Sequence, residues 1–144
     1  MQACTRRKSR GQAIVEFTLL LPIIVLIVGG LTDLGVALYV SIGLQNAVRE
    51  GARIAATKEP LGQNDSEVAR EVIRRIPARG IFTITTNDIT NTEPPPKPRP
   101  CDSNVTVTAT GTYRYMFLRY IGFATSEMSR SATMRYEPGT PLCQ

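Results

Sequence analysis

Two residues near the start of this chain have the type and spacing to do chemistry. Gly11 closes a basic run, Arg6-Arg7-Lys8-Ser9-Arg10, and five positions later Glu16 stands alone at the edge of a long apolar stretch. A carboxylate beside hydrocarbon is costly unless a cation meets it. Glycine has no Cβ, so the backbone at Gly11 can lie extended and close to another backbone, as a protease needs. The pair suggests a chain that is cut after Gly11 and then packs against copies or relatives of itself. The plainer alternative is that Glu16 only reaches back to the lipid headgroups.

Little else in the chain points to reaction chemistry. There is no histidine, so the usual general base near neutral pH is missing. The acids, Asp33 and Asp88 among them, are scattered without paired spacing. The glycines form no phosphate-binding loop, and the cysteines and carboxylates have no metal-ligand spacing. No catalytic residue, metal or cofactor is expected, and an enzyme is not. Tyr113, Tyr115 and Tyr120 beside Arg114 and Arg119 could offer a nucleic-acid platform. A strand with aromatic residues on one face and arginines on the other accounts for them better, so no nucleic-acid partner is expected. Cys4 lies in the leader, whereas Cys101 and Cys143 lie beyond it. In an oxidising compartment these two either form a disulfide or remain unrelated free thiols.

The elements that position Gly11 and Glu16 follow from charge and hydropathy. The net charge of +5 is largely a property of the leader: without residues 1–11 the chain keeps 13 basic and 12 acidic groups. Basic residues flanking a first apolar segment hold that flank in the cytoplasm, so the region after Asp33 should be extracytoplasmic. Residues 13–32 supply the roughly 20 apolar residues that a bilayer span needs, and Glu16 is their only ionisable group. One helix is predicted over residues 12–57, about 70 Å long, with a modest kink near residues 18–22 because Pro22 removes a backbone donor. Its upper half must find cover other than lipid. Gly43, Ala47, Gly51 and Ala55 recur at four-residue spacing, a ridge of small side chains. Such a ridge admits either another subunit's backbone or the chain's own domain.

Lys58-Glu59-Pro60-Leu61-Gly62-Gln63 breaks the helix. A second, short helix is expected after it, with Asn64 as its cap, Glu67 three residues on, and an apolar stripe at Val68, Val72, Ile73 and Ile76. Pro77 ends it. Residues 81–86 are rich in β-branched side chains, and strict alternation runs from Val105 through Phe117. A weaker last strand covers residues 127–136. Between them the proline-rich loop, residues 93–100, forbids regular pairing. The expected fold is α+β: a long transmembrane helix entering a small head, residues 58–144, with one short helix and a three-stranded antiparallel sheet.

The stretch Gly11-Gln12-Ala13-Ile14-Val15-Glu16-Phe17-Thr18-Leu19-Leu20-Leu21-Pro22, behind a basic leader, resembles the amino end of TadE-like pseudopilins of the tight-adherence pilus system, relatives of type IV prepilins. Leu44-Gln45-Asn46-Ala47-Val48-Arg49-Glu50-Gly51-Ala52-Arg53-Ile54-Ala55 is similar to that family's alanine-rich patch, and Ser131-Ala132-Thr133-Met134-Arg135-Tyr136-Glu137 to its closing strand. The resemblance implies a minor pilin or pseudopilin of the inner membrane, cut between Gly11 and Gln12 by a prepilin peptidase. It implies as partners other pilin or pseudopilin subunits, the tight-adherence inner-membrane assembly proteins and the lipid bilayer. It also implies that Glu16 pairs with the new ammonium group at residue 12 of a neighbouring subunit. Two other readings compete. One is an uncut, membrane-anchored extracytoplasmic binding domain. The other is a secreted protein cut near Gly35-Val36-Ala37, against which the acids Glu16 and Asp33 argue.

Overall fold

The computed structural model of the protein describes residues 10–58, 61, 64–92 and 103–135. Its first element, α1, is an unbroken helix of 48 residues, Arg10–Thr57. The helix continues through Pro22, which lacks the N–H that would have bonded the Thr18 carbonyl.

α1 has two unlike halves. Residues 11–28 are all exposed. Burial begins at Gly29 and follows a stripe spaced by three and four residues: Asp33, Ala37, Val40, Leu44, Ala47 or Val48, Ala52 and Ala55. That spacing keeps one helical face against the head. The same apolar composition therefore serves two environments, a bare rod below and one wall of a protein core above.

α2, Ser66–Arg75, lies across the upper half of α1 and buries Val68, Ala69 and Val72. Its cap is Asp65 rather than the expected Asn64. The Asp65 carboxylate accepts from the backbone N–H of Glu67 at 2.9 Å and of Val68 at 3.3 Å, whereas Asn64 adopts a positive φ of 53° in the turn ahead. Lys58 Nζ also donates to Asp65, at 2.9 Å. Burial pushes the Asp65 carboxyl up, but the Lys58 ammonium and the two backbone donors outweigh it and hold the group below its ordinary value. The Asp65 N–H donates in turn to Asn91 Oδ1 at 2.7 Å, which ties the start of α2 to the sheet. Arg75 reaches Glu50 of α1 at 3.2 Å, an exposed pair that contributes little.

Four strands form the sheet where three were expected. They are β1 (Phe82–Thr83), β2 (Ile89–Asn91), β3 (Asn104–Arg114) and β4 (Thr125–Arg135), all paired antiparallel to β3. β4 runs along the whole of β3, from Asn104 opposite Arg135 to Arg114 opposite Thr125. β1 and β2 divide the other edge, with Phe82 opposite Tyr113 and Ile89 opposite Ala109. The sheet is thus three strands wide, and the additional strand arises because a 3-10 turn, Thr86–Asp88, interrupts one edge. Asp88 fixes that turn by accepting from the Thr85 N–H and hydroxyl at 2.8 and 2.7 Å.

The inner face of β3 presents Val105, Val107, Ala109 and Tyr113 to α1 and α2, and all four are fully buried. Its outer face carries threonines that bond across to β4, Thr106 to Thr133 at 2.8 Å and Thr110 to Ser129 at 3.1 Å. Alternation of this kind is what one covered and one solvated face require.

Candidate functional site

The amino-terminal residues singled out by sequence stand on the bare half of α1. Gly11 is helical, and among the described residues no atom beyond the adjoining helix backbone lies within 4 Å of the place a Cβ would occupy there. Gln12 and Glu16 are exposed and one helical turn apart, on one face. Among the described residues no side chain pairs with Glu16. Around it Ile14, Val15, Phe17, Leu19 and Leu20 are also exposed, so the carboxylate sits on an apolar rod. Helices of this composition, with a mean hydropathy of 2.5 over the best window, are long and apolar enough to cross a membrane. Two hydroxyls of the apolar stretch 13–32 bond back to the helix itself, Thr18 to the Ile14 carbonyl at 2.8 Å and Thr32 to that of Val28 at 2.9 Å. In lipid, where water cannot satisfy them, that is the arrangement such groups need.

The small-residue ridge lies in the other half of α1, turned toward the chain's own head. A Cβ on Gly51 would strike Val72 of α2, and one on Gly43 would strike Pro77. Ala47 and Ala55 on the same ridge are fully buried. Arg49 and Arg53, the basic residues of the alanine-rich patch, point outward. Cys101, Cys143 and the proline-rich loop lie outside the described residues.

Tyr113 and Tyr115 meet edge to face with ring centroids 5.1 Å apart. Tyr113 is fully buried, so it offers no surface on which a base could stack. Among the described residues no group of three or more acids or cysteines could hold a metal ion.

One feature of the site was not foreseen from sequence. Asp33 is 1% exposed although it is charged and lies on α1. Its carboxylate accepts three backbone N–H groups from the segment after β3: Met116 at 3.0 Å, Phe117 at 2.7 Å and Leu118 at 2.9 Å. The Tyr113 hydroxyl donates to the Asp33 carbonyl at 3.2 Å. These bonds explain why the pairing stops short of Phe117: the Tyr115 N–H still donates to the Ala124 carbonyl at 3.1 Å, and the next three backbone donors turn to Asp33. The segment then closes in a 3-10 turn, Leu118–Ile121, ended by Gly122 at φ 102°.

One turn below Asp33, Gly29 and Gly30 give the same segment its seat. A Cβ on Gly29 would overlap the Phe117 side chain, and one on Gly30 would lie 3.2 Å from Leu118 Cδ2. Asp33, Gly29 and Gly30 therefore form a clamp that fixes the head to α1 where the bare half ends. The available signal was an acid inside an otherwise uncharged run, one turn after a glycine pair.

No curated protein and no solved structure matches the chain. A family model does, that of TadE-like protein, over residues 11–53. The matched segment takes in Gly11, Glu16, the bare apolar half of α1, the Asp33 clamp and most of the stripe that walls the core. The match over residues 11–53 is to the same family that the amino end of the sequence resembles.

Proposed function

We propose that the protein is a minor pilin or pseudopilin of a tight-adherence pilus system. In this reading a prepilin peptidase cuts between Gly11 and Gln12, and residues 12–32 anchor the mature chain in the inner membrane with the head outside. The subunit works by packing and not by catalysis. Its partners are other pilin or pseudopilin subunits, the tight-adherence assembly proteins of the inner membrane and the bilayer itself.

The observation that carries this reading is the bare rod of residues 11–28 with Glu16 on it, exposed and paired with no side chain among the described residues. At 1.5 Å per residue that rod is about 27 Å long, close to the roughly 30 Å of a bilayer's hydrocarbon core. Before assembly lipid covers it, and Glu16 lies at its cytoplasmic end. Cleavage frees an ammonium group at Gln12. When rods pack side by side, the ammonium of one can meet the Glu16 carboxylate of the next, which offsets the cost of holding either charge among apolar side chains. The family match over this segment supports the reading.

A Glu16→Ala chain should therefore be cut and inserted normally but assemble poorly. Expected pilus yield falls by roughly tenfold or more, since breaking one buried ion pair costs more than the 1.4 kcal/mol that a tenfold change represents. Immunoblots of membrane and sheared-pilus fractions measure it. Undiminished pili from this variant would remove the pairing role.

A further inference from the structure

The segment between β3 and β4, residues 115–124, combines a buried attachment with an exposed apolar face. Phe117 and Leu118 are turned inward onto Gly29 and Gly30. The residues beside them are turned outward: Met116 is 56% exposed, Tyr120 76%, Ile121 52% and Phe123 63%. Apart from these four, the exposed large hydrophobic residues of the described chain all belong to α1. The patch is therefore peculiar to this turn within the head.

Its position fits its composition. The seat at Gly29 and Gly30 is where the bare rod stops, so the turn lies level with one end of the apolar span. Aromatic side chains gather at that depth, their rings in the boundary between acyl chains and headgroups. Arg119 sits over the Tyr120 ring with its guanidinium 5.5 Å from the centroid, and Arg114 is exposed at the end of β3. Both can extend toward lipid phosphates while apolar neighbours go deeper. Residues 115–124 contain no acid that would be repelled from a phosphate surface.

We infer that the turn at Met116–Phe123 is a second membrane contact, which dips into the outer interface of the bilayer that α1 crosses. The partner is the phospholipid interface, and the contact rests on the reading of α1 as a membrane span. With α1 crossing the bilayer and the clamped turn resting on it, the head is held at two points. It stands at a fixed angle to the membrane and does not swivel about the helix axis. A subunit so oriented presents the same side of its head to each neighbour before assembly begins.

The chain contains no tryptophan, so single tryptophans report depth without background. The test uses the full chain in phosphatidylcholine–phosphatidylglycerol vesicles with acyl chains brominated at shallow or deep positions. Tyr120→Trp and Phe123→Trp replace exposed side chains and should fold normally. Ile24→Trp reports the span, and Arg53→Trp, near the far end of α1, reports the head away from the membrane. The expected result is blue-shifted emission from both turn variants, with most loss under shallow bromines. Ile24→Trp should lose most under deep bromines and Arg53→Trp should lose none. If Ile24→Trp is quenched but both turn variants behave like Arg53→Trp, the second contact is overturned and the span stands. If Ile24→Trp is not quenched, the span fails and the contact fails with it.

Discussion

An Asp33→Ala chain is expected to lose about 3 kcal/mol or more of the stability of its head. The carboxylate receives three backbone donors in a nearly water-free site, and a hydrogen bond to a charged group contributes about 1.5–3 kcal/mol. Alanine leaves the N–H groups of Met116, Phe117 and Leu118 without that partner, each part-buried. The losses do not add fully, because the freed segment can swing out to water. For a head of this size, about 3 kcal/mol corresponds to a fall in the unfolding midpoint of roughly 10–20 °C. Thermal unfolding of the full chain in detergent, followed by circular dichroism, measures it. Asp33→Asn should fall between the two. Its one remaining carbonyl oxygen can still serve Phe117 and Leu118, but its amide group meets the Met116 N–H donor to donor. A midpoint within a degree or two of the parent for Asp33→Ala would show that the clamp does not hold the head.

A Gly11→Val chain is expected to keep its leader. A Cβ at Gly11 meets nothing among the described residues beyond the adjoining helix backbone, so valine there disturbs no packing of the described fold. The substitution therefore isolates the encounter with the peptidase from the fold. To be cut, this turn of α1 must unwind and lie extended in another protein's active site, where a branched Cβ holds the two backbones apart. Displacing a scissile bond by about 1 Å can cost on the order of 100-fold in rate, and a loss of that order should leave nearly all of the chain uncut. Gly11→Ala, with a single methyl group, should be slowed less. The mass of the chain recovered from host membranes reads out both variants. Normal maturation of Gly11→Val would remove Gly11 from the processing site.

The parts of the fold that sequence made legible are those governed by local rules. α1 was readable as one helix ending at Thr57 because nothing but Pro22 interrupts it before Lys58. β3 was readable because valine and threonine alternate along it. The choice of Asp65 over Asn64 could not be made, because the two residues are adjacent and both can cap. Ile89–Asn91 was missed because three residues cannot display a period, and only pairing with Val107 and Ala109 makes them a strand. The Asp33 clamp was beyond local reading for a stronger reason. Its donors are backbone groups more than 80 positions away, and a backbone N–H has no sequence signature. The small ridge on α1 could be read from spacing, but its partner could not. Glycine and alanine state that something comes close, and tertiary structure supplies Val72 and Pro77.

In the proposed function, proteolysis after Gly11 releases a rod whose new amino terminus and Glu16 serve packing between subunits. The amino-terminal residue of the protein purified from its own host, read by mass spectrometry or Edman degradation, tests it most directly. The expected first residue is Gln12. A mature chain that begins at Met1 or Gln2, with Arg6, Arg7, Lys8 and Arg10 still attached, would contradict it.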